Sequence, residues 1–284
     1  MAALMGRVRS ALSPILKPPL RRVRYRLADL ADRRGGETVM GVPLPPPSLR
    51  RLNGPDDFVA TGEKIAAGIA SHTGLGEGDD VLDAGCGVGR VALAMIDRLG
   101  PTGSYEGFDI VPEAIAWCQR RITPEHPNFR FQLADVHNHH YHRGGRQRAE
   151  EYRFPYDDAS FDIVFLTSIF THLGAAPTSR YLHESFRVLR PGGRLFASFF
   201  LIDDEARQAL ADGRADMQFV PMADGAFTTN LRDPDAAVAH DESTIREVLA
   251  SCGFVNVRET LRGNWSGRAT SRRQDVLVAE RPPS

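Results

Sequence analysis

The sequence predicts an α/β chain: a doubly wound, seven-stranded, mostly parallel sheet with an antiparallel C-terminal strand and helices on both faces. Three observations carry this. From Asp56 onward, short apolar runs of strand length alternate with stretches whose apolar residues recur at helical spacing, and the joining loops are short. Parallel strands need such crossovers, and their common handedness covers the sheet on both sides. The first run ends in an acid and three close glycines, Asp83, Gly85, Gly87 and Gly89, where a doubly wound sheet places its ligand loop. The last two runs, at 254–263 and 273–281, lie too close for a crossover and are expected to pair as an antiparallel edge hairpin.

The elements follow in order. FVATGEKIAAGIA (58–70) has one apolar face at helical spacing. DVLDAG (80–85) is a short buried strand, and RVALAMIDRLG (90–100) a helix stopped by Gly100 and Pro101. SYEGFDI (104–110) is a strand, then PEAIAWCQRRI (112–122) a helix with proline in its first turn. FRFQLAD (129–135) and SFDIVFLTS (160–168) are strands. TSRYLHESFRVLR (178–190) is a helix ended by Pro191, Gly192 and Gly193, RLFASFFL (194–201) a strand, and ESTIREVLASCG (242–253) a helix with a glycine stop.

The chain has 284 residues, 42% hydrophobic and 25% charged, which suits one large α/β domain with appendages. A net charge of −1 gives no field that would pull it onto nucleic acid. Cys86, Cys118 and Cys252 are few and scattered, so a reducing, cytoplasmic setting is expected rather than a disulfide framework. No apolar run reaches the roughly 18–20 residues of a membrane span. Residues 1–54 read as a basic arm with a proline-rich connector, PLPPP at 43–47, and 55–284 as the main domain. Between Arg7 and Arg26 there are seven basic residues and no acid, which allows weak contact with an anionic membrane surface. Residues 203–240 are too long for a simple crossover and read as a substrate cap.

The glycine loop departs from a dinucleotide fingerprint, because Arg90 stands where the third glycine would allow close helix packing. Asp83 would repel a pyrophosphate on the following helix but attract an ammonium or a sulfonium. Asp109 ends the second strand, placed to accept both hydroxyls of a ribose. Asp135 ends the third, placed to take the amine of adenine, with Ile110 and Val136 on either side of the ring. Three acids in succession, each at the carboxyl end of a strand, point to S-adenosylmethionine rather than a phosphate-bearing nucleotide.

With these residues in place, the chain resembles the class I S-adenosylmethionine-dependent methyltransferases. DAGCGVG (83–89) is similar to that family's first motif, GFDIVPEAI (107–115) to the second and LADVHN (133–138) to the third. FPYDDASFDIVFLTSIFTHL (154–173) resembles the fourth, and RVLRPGG (187–193) the turn before the fifth strand. The resemblance runs from about residue 56 to 202, and the terminal hairpin carries it to about 280. It implies methyl transfer from a sulfonium to a nucleophile, with Cys86 and Thr167 completing the donor set.

In such a transfer the protein positions the nucleophile and, for an oxygen, removes its proton. His172, in the loop after the fourth strand, is the candidate base. That loop holds Thr167, Ser168, Ile169 and Phe170, not the Asx-Pro-Pro-aromatic pattern of methyltransferases acting on amino groups of bases. In VHNHHYHRGGRQR (136–148), Asn138 and Tyr141 are candidate acceptor contacts. His137, His139, His140 and His142 share that loop, but adjacent histidines on a glycine-bearing loop lack a fixed geometry, so no metal is expected. Trp265 is a candidate platform for a sugar or apolar acceptor, and Arg268 a candidate anion contact. The sequence reading is O-methylation of a small-molecule hydroxyl, on a glycan, glycoside or specialised metabolite. Its alternatives are carbon methylation of an apolar or prenyl diphosphate acceptor, or a non-catalytic donor-binding scaffold.

Overall fold

The computed structural model describes residues 37–54, 57–139, 141–258 and 260–284; the basic stretch 7–26 and His140 lie outside them. Two short strands, β1 (Thr38–Val39) and β2 (Val42–Pro43), form a hairpin that tucks Val42 and Leu44 into the main core. Val42 and Leu44, read above as part of the connector, thus pack into the body.

Next comes the helix Phe58–Thr73. The Asp57 side chain caps it by accepting from the Ala60 N–H at 2.9 Å, and Gly74 closes it with φ of 67°. The central sheet is built from β3 (Asp80–Ala84), β4 (Ser104–Asp109), β5 (Phe129–Leu133), β6 (Phe161–Leu166) and β7 (Leu189–Phe199). After β8 (Leu201–Ile202), β9 (Val220–Pro221), β10 (Phe227–Thr228) and β11 (Val238–Asp241), β12 (Asp275–Glu280) returns to it. The order is β12-β7-β6-β3-β4-β5, with β12 antiparallel to β7 and the other pairs parallel. The chain winds from β3 out to β5, then recrosses to β6, so the switch point lies at the carboxyl ends of β3 and β6.

Side chains alternate across the sheet with a period of two. Val81, Tyr105, Phe129, Ile163 and Phe165 face the helices Phe58–Thr73, Arg90–Met95 and Pro112–Arg121. Leu82, Ala84, Phe108, Val164 and Leu166 face the helices Ala175–Val188 and Glu242–Cys252. Both faces are thus covered, as the doubly wound pattern requires.

Among the described residues the sheet has six continuous strands, not seven. The expected partner of β12, residues 254–263, contributes isolated bridges at Val255↔Glu280 and Leu261↔Val276, with an Arg258 N–H to Val278 carbonyl bond of 3.0 Å between them. Asn256 sits at φ of 49°, which breaks the strand's alternation just after its first bridge. β7 also starts earlier than the sequence suggests. Its segment Leu189–Arg194 opposes only Phe161–Ile163 of β6, so Pro191, Gly192 and Gly193 form a bulge at the start of the strand rather than a loop before it.

Residues 203–240 fold as a small unit of their own. The helix Asp204–Ala211 packs beside a four-stranded sheet in the order β8-β11-β10-β9, around Phe200, Phe219, Ala239 and Trp265. No helix among the described residues is long and apolar enough to cross a membrane.

Candidate active site

The carboxyl ends of β3, β4 and β6 open into one cavity of about 510 Å³. Its floor is the glycine loop. Gly85 and Gly87 have φ of 100° and 54°. A Cβ on Gly85 would lie 2.1 Å from Ile169 Cδ1, so only glycine lets the loop after β6 approach so closely.

Asp83 reaches this cavity from β3 although it is 1% exposed. The Tyr105 hydroxyl donates to its Oδ2, while its Oδ1 has no hydrogen-bond partner among the described residues. Burial pushes the carboxyl up to about 7; the Tyr105 hydroxyl opposes that and the nearby Asp109 adds to it. A buried carboxylate oxygen without a partner, facing a cavity, suits a cationic ligand and not a phosphate.

Asp109 ends β4. Its Oδ2 accepts from the Gly87 N–H at 2.8 Å and its Oδ1 from the Val111 N–H at 2.9 Å. The acid therefore holds the glycine loop in place, and burial raises its pKa against those backbone bonds. Each oxygen retains acceptor capacity toward the cavity. Cys86, Ile110, Val136 and Thr167 also line it, as do Asn138 and Tyr141 from the loop after β5. In that loop, Asn138 Oδ1 accepts from the Tyr141 N–H at 3.0 Å.

His172 lies in a short 3-10 turn, Phe170–His172, at the rim. Its Nδ1 is 2.8 Å from the backbone carbonyl of Asp235 in the 203–240 unit. A carbonyl only accepts, so Nδ1 carries the proton, and in the neutral ring Nε2 is left with its lone pair. His172 lines this cavity and an adjoining one.

Three expected contacts lie elsewhere. Asp135 is outside the cavity lining; its Oδ2 accepts from Arg146 Nε at 2.5 Å, pinning the base of the 136–148 loop. Trp265 is wholly buried in the core of the 203–240 unit, and its Nε1 donates to Asp275 Oδ2 at 2.6 Å. Arg268, whose side chain is 9% exposed, grips both oxygens of Asp203 at 2.7 Å. A tryptophan and an arginine near a pocket look like ligand contacts in sequence; here the buried Asp275 and the half-buried Asp203 have claimed them.

The structure adds residues that the sequence did not single out. Arg51 and Leu52, assigned above to the connector, line the cavity. Ser168, at φ of 62°, receives its place from Ser198, whose Oγ accepts the Ser168 N–H at 2.8 Å. Gln274, just before β12, accepts from Ser198 Oγ at 2.7 Å and donates to Ser168 Oγ at 3.0 Å. Strained backbone at a non-glycine residue beside a cavity is a usual mark of a working site. No cluster of three or more metal-binding side chains occurs among the described residues.

The cavity thus carries two acids, Asp83 at the end of β3 before the glycine loop and Asp109 one strand along. Residues 81–193 match the family model described as a methyltransferase domain. Among curated proteins the chain is similar to 27-O-demethylrifamycin SV methyltransferase of Amycolatopsis mediterranei, at 31% identity over 52% of this chain and 49% of that one. The chain spans about half the length of the curated relatives it matches first. In fold it is similar to the 1,6-didemethyltoxoflavin-N1-methyltransferase of Burkholderia thailandensis solved with S-adenosylhomocysteine. That likeness is 17% identity at a TM-score of 0.50, covering 94% of this chain and 92% of the other. The [4+2]-cyclase SpnF is a neighbour too, at 17% identity and a TM-score of 0.50 over 78% and 81% of the two chains. The fold therefore does not by itself define the reaction.

Proposed function

We propose that this chain methylates a hydroxyl of a small-molecule acceptor, a glycan, glycoside or specialised metabolite, with His172 as general base. The observation that carries this is the Nδ1 to Asp235 carbonyl bond, which leaves a basic nitrogen at the meeting of the two cavities. Bound S-adenosylmethionine supplies a methyl carbon already activated by its sulfonium. The protein's part is to hold the hydroxyl in line and accept its proton at Nε2 as the O–C bond forms and the S–C bond breaks. S-adenosylhomocysteine leaves. The 27-O prefix in the name of the rifamycin relative also favours oxygen. Release of S-adenosylhomocysteine across sugars, phenols and prenyl diphosphates, each with and without EDTA, tests the reading. Turnover with hydroxyl acceptors that survives EDTA supports it; product methylated only at carbon refutes it.

In this reading Asp109 accepts from the donor's ribose hydroxyls, Asp83 faces its cationic end, and Ile110 and Val136 flank the adenine. Asp109→Ala is expected to weaken S-adenosylmethionine binding by about 1–3 kcal/mol, measured by calorimetry, because charge-assisted bonds are lost and the Gly87 N–H loses its acceptor. Unchanged affinity would remove Asp109 from the donor site.

Asp83 gives a pH signature. Its pKa in the folded chain is raised from the ordinary 3.8 to about 7, so the folded state holds a proton the unfolded state has released. Stability therefore falls as pH rises between these values. A cationic ligand favours the ionised form, so donor affinity is expected to climb with pH up to about 7 and then level off, by at most about tenfold per pH unit. Asp83→Asn should flatten that slope in calorimetric titrations run from pH 5.5 to 8.

A further inference from the structure

A second cavity of about 460 Å³ adjoins the donor cavity, and the two share the wall formed by His137, Asn138, Ala149, His172 and Leu173. It lies between the 136–150 loop and the start of the helix Ala175–Val188, with Asp235 of the 203–240 unit at its edge. We propose that it is the acceptor subsite and that it takes a neutral polyhydroxylated group, a sugar ring, with one hydroxyl presented to His172. This rests on the reading of His172 as base.

The lining decides the chemistry. Two guanidiniums, Arg146 and Arg148, stand with two carboxylates, Glu150 and Asp235, so the chamber's formal charges cancel. Arg148 pairs with Glu150 inside the lining, and Arg146 pairs with Asp135 at 2.5 Å beside it. A diphosphate would have to break those pairs, whereas a sugar can bridge them, accepting from a guanidinium and donating to a carboxylate. Amides from Asn138 and Gln147 add both donors and acceptors. A flat apolar acceptor has little to rest on. Among the described residues the lining holds no phenylalanine, tyrosine or tryptophan, and its apolar side chains are Ala149, Leu173 and Pro177. That disfavours prenyl diphosphates on both counts, charge and surface.

Pro177 lines this chamber but not the donor cavity, which makes it the place to block. It sits in the first turn of its helix, where a residue with an N–H is equally acceptable. Saturation-transfer NMR with methyl hexopyranosides as probes should show contact with the wild-type chain and lose it in Pro177→Trp, with S-adenosylmethionine affinity unchanged. Glu150→Gln, a smaller change, should raise the KM of a glycoside acceptor about tenfold while moving kcat less. The absence of saturation transfer to any methyl hexopyranoside in the wild type would overturn the subsite, as would its persistence in Pro177→Trp. Sugar contact that Pro177→Trp abolishes, together with no methyl transfer to any hydroxyl, would leave the subsite standing and discard the base.

Discussion

His172→Ala is expected to lower kcat about 10²–10⁴-fold and leave the dissociation constant of S-adenosylmethionine unchanged, because a positioned base acts on the acceptor's proton and not on donor binding. The contrast follows from the geometry. His172 stands at the rim of the donor cavity, in the wall shared with its neighbour, and its protonated nitrogen is tied to the Asp235 carbonyl at 2.8 Å. That bond sets the tautomer, so in the proposed role Nε2 is the nitrogen that takes the proton. Alanine leaves a gap where the ring was, and free imidazole should restore part of the lost rate. A purely structural histidine would show no such rescue, and equal turnover in the variant would remove His172 as the base. Single-turnover measurements with a saturating acceptor separate the chemical step from product release.

Much of the cavity around the glycine loop was legible in the sequence because its determinants are local. An apolar run ending in Asp83, then glycines at alternate positions, specifies strand, tight loop and helix within a dozen residues, and the structure places Asp83, Gly85, Cys86, Gly87 and Asp109 around one cavity. The rest of the site was harder to read because its groups are placed by partners distant in the chain. Ser168 owes its left-handed backbone to partners at Ser198 and Gln274, which no local pattern announces. Asp135 follows β5 as expected, yet Arg146, eleven positions on, draws its carboxylate out of the cavity lining. The seventh strand failed for a local reason that its apolar alternation concealed, the left-handed turn at Asn256.

Trp265→Ala is expected to cost about 3–5 kcal/mol of folding stability in denaturant titrations, the usual penalty for emptying a buried aromatic site. The indole packs edge-on against Phe219 and Phe200, at centroid distances of 5.3 and 5.8 Å. It is also one of three donors to Asp275, beside the Gly263 N–H and the Leu201 N–H, each at 2.8 Å. Asp275 is itself fully buried at the start of β12, so the loss leaves a hole and takes a partner from a buried carboxyl at once. Trp265→Phe separates the two effects: it keeps most of the packing, loses the N–H, and should cost about 1–3 kcal/mol. The consequence reaches the proposed base through the 203–240 unit. Trp265 belongs to the core that folds residues 203–240, and that unit supplies the Asp235 carbonyl holding His172. Turnover in Trp265→Ala should therefore fall further than donor affinity, since Asp83, Gly87 and Asp109 stand on β3, β4 and the loop between them. A platform for the acceptor would behave differently: truncating it would raise the acceptor's KM and leave the unfolding midpoint where it was.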